Sequence, residues 1–399
     1  MERRLANFKA LHLTFSSCSS HIFVRKGESM SKQFVRVVLT SFLALLLAFG
    51  GINLVSAGKP TPTPPPGPTP VPTPMQIFGA WHCGNHYCDW SLVRDMTEFD
   101  QANHWLIAGA NGQPSVNLIV LSFVNPLKML NQTDTGLQGM IPAGMNQAVV
   151  DYFKSRGIRV MLSIGGITYT DDWDAALAQN ATQLGLNAAA IAQAMGVGIE
   201  IDYENSSDPN IPGVQAFITA YRSQLPYDAT GNNHAARLTI DVAAGDRWLI
   251  ALNRHATQYW LTTSNPVLDY ANAMVSGTSS GSPTEWQEHV DGKPQYSPPV
   301  PPLAPAKFTG GLYLKGNIAN CNNFTSSEQN SYSNYVQTVA PNGAGTTRGM
   351  LGYMFWAAEY PSARRSYVAT IPPNTCEGGM GVAATTFDIP IPMPPLRQQ

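Results

Sequence analysis

Between residues 75 and 371 the chain repeats one alternation: a short apolar run, then a polar or helix-like segment. Eight runs read as strands: QIFGAW (76–81), VNLIVLSF (116–123), IRVMLSIGG (158–166), VGIEIDYE (197–204), RLTIDVAA (237–244), LDYANAMVS (268–276), FTGGLYL (308–314) and GMLGYMFW (349–356). Several intervening segments carry helical periodicity, among them MNQAVVDYFKSRG, DDWDAALAQNATQLGLNAAAIAQAMG and IPGVQAFITAYRSQL. Strand–helix alternation predicts a parallel sheet, and eight units over about 300 residues predict a closed (β/α)8 TIM barrel. The rival is a doubly wound open sheet, which would carry a Gly-rich phosphate turn after an early strand; none is evident. A chain of 399 residues that is 44% apolar can bury a core of that size.

The flanks do not belong to the barrel. From Met30, the expected start, Lys32 and Arg36 precede a charge-free run to Val55, and Val55-Ser56-Ala57 offers small residues for cleavage. Residues 1–57 therefore read as an upstream segment plus a secretory signal peptide, with an uncleaved membrane anchor as the rival. Residues 58–74, KPTPTPPPGPTPVPTP and its preceding Gly58, form an extended Pro/Thr spacer, residues 75–377 the barrel domain, and residues 378–399 a Pro-rich tail. The expected location is secreted or cell-surface. Net charge is −2 with 13% charged residues and no Lys/Arg run in the folded part, so no footprint for nucleic acid is present.

Four cysteines follow the signal: Cys83, Cys88, Cys321 and Cys376. In an exported chain they predict disulfides. Three pairings are open; the short loop between Cys83 and Cys88 favours that bridge together with Cys321–Cys376. A metal site using His82 and His86 in WHCGNHYC is the alternative, although the spacing fits no common zinc pattern. No metal and no cofactor are expected. His234 and His255 fall in loop or helix segments and read as surface residues.

The fourth run carries the chemistry. In GVGIEIDYEN, Glu200, Asp202 and Glu204 alternate with Ile199, Ile201 and Tyr203. Side chains alternate along a strand, so Gly198 and the three acids share one face while the apolar set faces the helices. The acids then fill the barrel axis and rise toward its mouth, where barrel active sites lie. Neighbouring acids on one face stand about 7 Å apart. Burial and like-charge repulsion must hold at least one of them protonated, as a general acid requires. A purely structural polar network would be a costly use of three buried acids.

This stretch resembles the fourth-strand signature of glycoside hydrolase family 18, the chitinases and their relatives, written D-x-x-D-x-D-x-E. Two more features are similar to that family: Ser163-Ile164-Gly165-Gly166 to the S-x-G-G that ends its third strand, and GYMFWAAEYP to its last-strand segment, whose Trp floors the sugar subsite. The resemblance spans residues 76–371. It implies retaining hydrolysis assisted by the substrate, with Glu204 as acid and base, Asp202 orienting the N-acetyl group, and Glu200 sharing a proton or hydrogen bond with Asp202. The implied sugar contacts are Trp356, Tyr203, Met274, Ser276 and Tyr313.

The sequence departs from the family at three places. Val197 replaces the first Asp and Glu200 the second, both deeper than the acid. On the sixth strand Ser276 stands where the family has a Tyr, which leaves Tyr313 as a substitute. Only about a dozen residues separate LYLKG from the next helix-like segment, SSEQNSYSNYVQTV, too few for the family's extra α+β module. The cleft should thus be shallow, with Tyr169, Trp173, Trp248 and Tyr360 near strand ends able to line it. The resemblance therefore implies a hydrolase of N-acetylglucosamine polymers, chitin first; with the signal-like segment, the expectation is a secreted enzyme that acts as a monomer on this polysaccharide. The alternatives are a sugar-binding lectin on the same barrel and an endo-glycosidase acting on peptidoglycan or N-glycans.

Overall fold

The structure, a computed structural model, describes residues 75–108, 112–245, 247–274, 276–277, 282–313, 326–340, 349–356 and 358. The expected signal peptide, spacer, tail, Cys321, Cys376 and Tyr360 lie outside these residues. Among the described residues no helix is long and apolar enough to cross a membrane.

Nine parallel segments make one sheet: β1 Ile77–Cys83, β2 Leu118–Val124, β3 Arg159–Gly165, β4 Gly198–Asp202, β5 Leu238–Val242, β6 Ala271–Ala273, β7 Ser276–Gly277, β8 Phe308–Tyr313 and β9 Gly352–Trp356. β9 pairs with both β8 and β1, so the sheet closes into a barrel. β6 and β7 both pair with β8 and share the sixth position, which leaves eight barrel positions. The fold is a (β/α)8 barrel. Helices α1 Met96–Ile107, α2 Pro126–Asn131, α3 Gln147–Lys154, α4 Thr170–Met195, α5 Ile211–Gln224, α6 Ile250–His255, α7 Ser282–Asp291 and α8 Ser326–Thr338 intervene between the strands. Asparagines start several of them: Asn146 accepts from Val149 N at 3.1 Å and Asn210 from Gly213 N at 2.9 Å, satisfying N–H groups that a first turn leaves free.

Strand alternation separates two cores. Phe78, Ile119, Leu162, Ile199, Ile201 and Ile240 point outward into the large cluster shared with the helices. Ile77, Trp81, Leu118, Val120, Met161, Tyr270 and Met354 form a smaller cluster on the opposite face, within the barrel. Val197, aligned with a family Asp, joins the outer cluster rather than the barrel interior.

The sixth position differs from the single strand expected over 268–276. Asn272 pairs with Thr309, but Ser276 pairs with Leu312, so one extra residue intervenes on this side. The facing residue is Gly311, where a Cβ would run into the carbonyl oxygens of Ala273 and Met274. Only a bare backbone admits that approach, so Gly311 accommodates the break. Met274 is left at the barrel mouth.

The lower, N-terminal end of the barrel is held by ions. Asp269 accepts from Arg222 Nη2 at 3.2 Å, from Arg237 Nη1 at 3.4 Å and from Leu238 N at 2.8 Å. Lys307 donates to the Asp269 carbonyl at 3.0 Å.

Candidate active site

The carboxyl ends of the strands surround a pocket of about 430 Å³. Asp202 and Glu204 open into it from β4, Asp241 from β5, Trp81 and Cys83 from β1, Met274 from the broken sixth position, and Trp356 from β9. The acid row thus occupies the barrel axis with Glu204 outermost.

The S-x-G-G stretch sets the exit of β4. In register, Ser163 lies opposite Glu200 and Gly165 opposite Asp202. Gly165 has φ 121°, and a Cβ there would strike the Asp202 carbonyl and the Trp173 indole. Through the space so left, Trp173 Nε1 donates to Ile164 O at 3.1 Å and to Asp202 O at 3.0 Å, tying the ends of β3 and β4 together. Trp173 is fully buried and belongs to this clamp, not to the cleft. Gly166, with φ 83°, donates its N–H to Asp202 O at 3.0 Å and lies against the Phe123 ring.

Glu200 is fully buried and well served. Trp81 Nε1 donates to it at 2.9 Å, and Asn272 Nδ2 donates to its other oxygen. Asn272 is oriented in turn by Thr309 Oγ1, which donates to it at 2.5 Å. Burial pushes the Glu200 carboxyl up, with Trp81 and the other donors opposing. Asp241 shares a hydrogen bond with Glu200; burial first, then the charges of Glu200 and Asp202, hold it well above the carboxylate range. Asp202 is raised well above that range as well, by burial and then by Glu204 and Glu200. Its Oδ1 is buried and meets no protein donor among the described residues. Glu204 is half-buried, and desolvation raises it to about 7, opposed by a hydrogen bond from the Ile167 N–H. Four acids thus share one small volume with no cation among the pocket-lining residues, so protons must take the place of counter-ions.

The rest of the pocket is aromatic. Phe123 and Trp356 stack with centroids 5.2 Å apart at 24°, and Tyr87 and Trp248 also line the space. Trp248 is 38% exposed. Cys83 and Cys88 form a disulfide that packs against Trp356. With both thiols bonded, the alternative metal role of WHCGNHYC is overturned. His82 is buried, lies 3.2 Å from Asn103 Oδ1, and is lowered by burial to about 4. His86 Nδ1 lies 2.9 Å from the Tyr169 hydroxyl.

Of the expected site residues, the structure brings Asp202, Glu204, Met274 and Trp356 to the pocket and places Glu200 directly beneath. Tyr203 is corrected: it is fully buried on the outer face, donates to Asp174 of α4, and accepts from Asn210 N at 2.9 Å. It ties a strand to a helix and cannot touch a ligand. Tyr169 is 3% exposed and is turned toward His86, outside the pocket lining. The side chains of Ser276 and Tyr313 lie outside the described residues. Sequence reasoning missed Trp81, Asp241 and Asn272. Each sits at an inward position near a strand end, and Asp241 in LTIDV repeats on β5 the acid-between-aliphatics pattern of β4.

No family model matches the chain, and no curated protein matches it. Among solved structures, a chitinase from Bacteroides thetaiotaomicron is similar over 71% of this chain and 90% of its own, at 12% identity and TM-score 0.44. A GH18 chitinase from Pseudoalteromonas aurantia aligns over 70% and 93%, at 12% identity and TM-score 0.42. A GH18 chitinase from Cycas revoluta in complex with allosamidin aligns over 77% and 98%, at 12% identity and TM-score 0.39. Likeness at this level decides nothing about the reaction, so the functional reading stands on the site's own chemistry.

Proposed function

We propose that the chain is a glycoside hydrolase that cleaves β-1,4 bonds of N-acetylglucosamine polymers, chitin first, with retention and with help from the substrate. The observation that carries this reading is Glu204, a half-buried acid at the pocket mouth raised to about 7, above a proton-sharing row of Asp202, Glu200 and Asp241.

In this mechanism protonated Glu204 donates its proton to the glycosidic oxygen as the C1–O bond breaks. The carbonyl oxygen of the substrate's own 2-acetamido group attacks C1, forming a cyclic oxazolinium ion and releasing the leaving sugar as an alcohol. Asp202 accepts the acetamido N–H, orienting that group and balancing its positive charge. Glu204, now ionised, takes a proton from water as the water oxygen attacks C1, which reopens the ring with net retention. Glu200, held by Trp81 and Asn272, keeps a proton within reach of Asp202. The Trp356–Phe123 platform offers an aromatic face for a sugar ring.

Export is part of the same proposal, supported by the signal-like segment before residue 58 and by the oxidised Cys83–Cys88 pair. The deciding experiment incubates the oxidised protein and its Glu204→Gln variant with chitin pentasaccharide and follows products and anomeric form. Cleavage by the wild type alone, β-anomer first, is expected. Binding by both forms with cleavage by neither would replace the enzyme with the lectin reading, which the Ser276 substitution favours. Cleavage of peptidoglycan or N-glycan substrates but not the chitin oligomer would change the polymer and keep the mechanism.

A further inference from the structure

At the lower end of the barrel, opposite the pocket, inward positions carry cations. Arg159 opens β3, Arg237 immediately precedes β5, and Lys307 immediately precedes β8. Arg237 is 6% exposed and has Asp269 as its partner. Asp269 is already divided between Arg222 and Arg237. Lys307 uses neutral acceptors, the Asp269 carbonyl at 3.0 Å and the Tyr227 hydroxyl at 3.3 Å.

Arg159 has none of this. Its Nε and Nη2 atoms are buried and meet no acceptor among the described residues. Burial, and then the like charge of Arg237, lowers it to about 10. His234 stands at the rim and is lowered by burial, then by Arg159, Arg237 and Lys154. Arg159 is half-buried, and two buried guanidinium N–H groups without an acceptor, with a like charge nearby, are a costly arrangement for a fold to hold. The same guanidinium faces a small cavity of about 10 Å³, walled by Arg159, Arg237, Tyr270, Met161, Leu118 and Gly198. The Tyr270 hydroxyl donates only to the Met161 sulfur at 3.8 Å, a weak acceptor.

We propose that this cavity is a binding site for one small monovalent anion, chloride in solution, held between Arg159 and Arg237 with Tyr270 as a third donor. Size sets the class of ligand. A cavity of about 10 Å³ has room for one water-sized body, which fits a monatomic anion better than phosphate or sulfate. Charge sets its sign: a water molecule could accept from Arg159 but would leave the charge of that guanidinium uncompensated. The site joins the entrances of β2, β3, β4 and β5, so the ion acts as a pin for the barrel floor, far from the acid row. It does not rest on the proposed hydrolase activity.

The test is thermal unfolding of the full-length oxidised protein in sodium chloride against sodium gluconate at matched ionic strength. Chloride at ten times its Kd should raise Tm by roughly 2–4 °C, saturably, with gluconate inert. Arg159→Met should abolish the chloride response, while Arg94→Gln, on an exposed ion pair, should retain it. A crystal soaked in bromide should show anomalous scattering between Arg159 and Arg237. This arm needs no variant and covers the case in which Arg159→Met fails to fold. Identical unfolding in both salts, or bromide absent from Arg159, would overturn the proposal.

Discussion

The two ends of this barrel solve opposite problems. At the floor, Asp269 gathers two guanidiniums, and the ions there close the strand entrances. At the mouth, four acids crowd together with no cation among the pocket-lining residues, and Asp202 Oδ1 has no protein donor among the described residues. At the floor Asp269 offsets part of the cationic charge, with an anion proposed for the rest; at the mouth no counter-charge stands among the pocket-lining residues. The difference teaches where to look for chemistry: strain that packing does not require is kept where a reaction needs it.

The sharpest way to break this comparison is to remove one acid from each end. Glu204→Gln should cut kcat about 10²–10⁴-fold while leaving the protein folded, as expected for loss of a general acid. A loss below tenfold, measured on chitin pentasaccharide, would remove Glu204 from the acid role. Asp269→Asn should do the reverse, leaving chemistry intact in the folded fraction and costing about 3–5 kcal/mol of stability, because it orphans two buried cations. Chemical denaturation would read this directly, and a near-neutral result would mean the floor is not held by its ions.

A finer test uses pH. Glu204 titrates near 7 when folded against an ordinary 4.5, so the folded state binds more protons between those values. That contribution is fully present below pH 4.5 and is lost as pH rises through 7. Glu204→Gln should therefore be more stable than the wild type by about 1–2 kcal/mol near pH 8, with the two converging near pH 4. An equal stability gap at both pH values would show that the mouth acid is not strained. In the wild type the alkaline limb of kcat/KM should fall near 7, the value set for Glu204. The smallest expected effect is at the platform: Trp356→Ala should raise KM by about 3–10-fold, the range of one lost aromatic stack, with kcat less affected.

Much of this was written locally in the chain. The eight barrel positions fall at the eight expected apolar runs, the sixth of them broken in two, and alternation placed Glu200 and Asp202 inward with Ile199 and Ile201 outward. What escaped depended on partners distant in sequence. Trp81 and Asn272 gain their meaning only by meeting Glu200, 119 and 72 residues away. The break between β6 and β7 is accommodated by Gly311 on another strand. Trp173 follows a strand end and reads equally well as cleft wall or clamp; the space beside Gly165 decides for the clamp. Tyr203 shows the limit of motif carry-over, because its parity on β4 had already turned it toward the helices.

The Cys83–Cys88 bridge has one further consequence. It packs against Trp356 in the wall of the same pocket as the acids, so the aromatic platform depends on a covalent bond as well as on packing. A newly made chain still in a reducing cytosol would carry its full set of acids and lack a finished sugar platform. On the proposed reading of an exported hydrolase, the bridge would tie completion of the platform to an oxidising compartment.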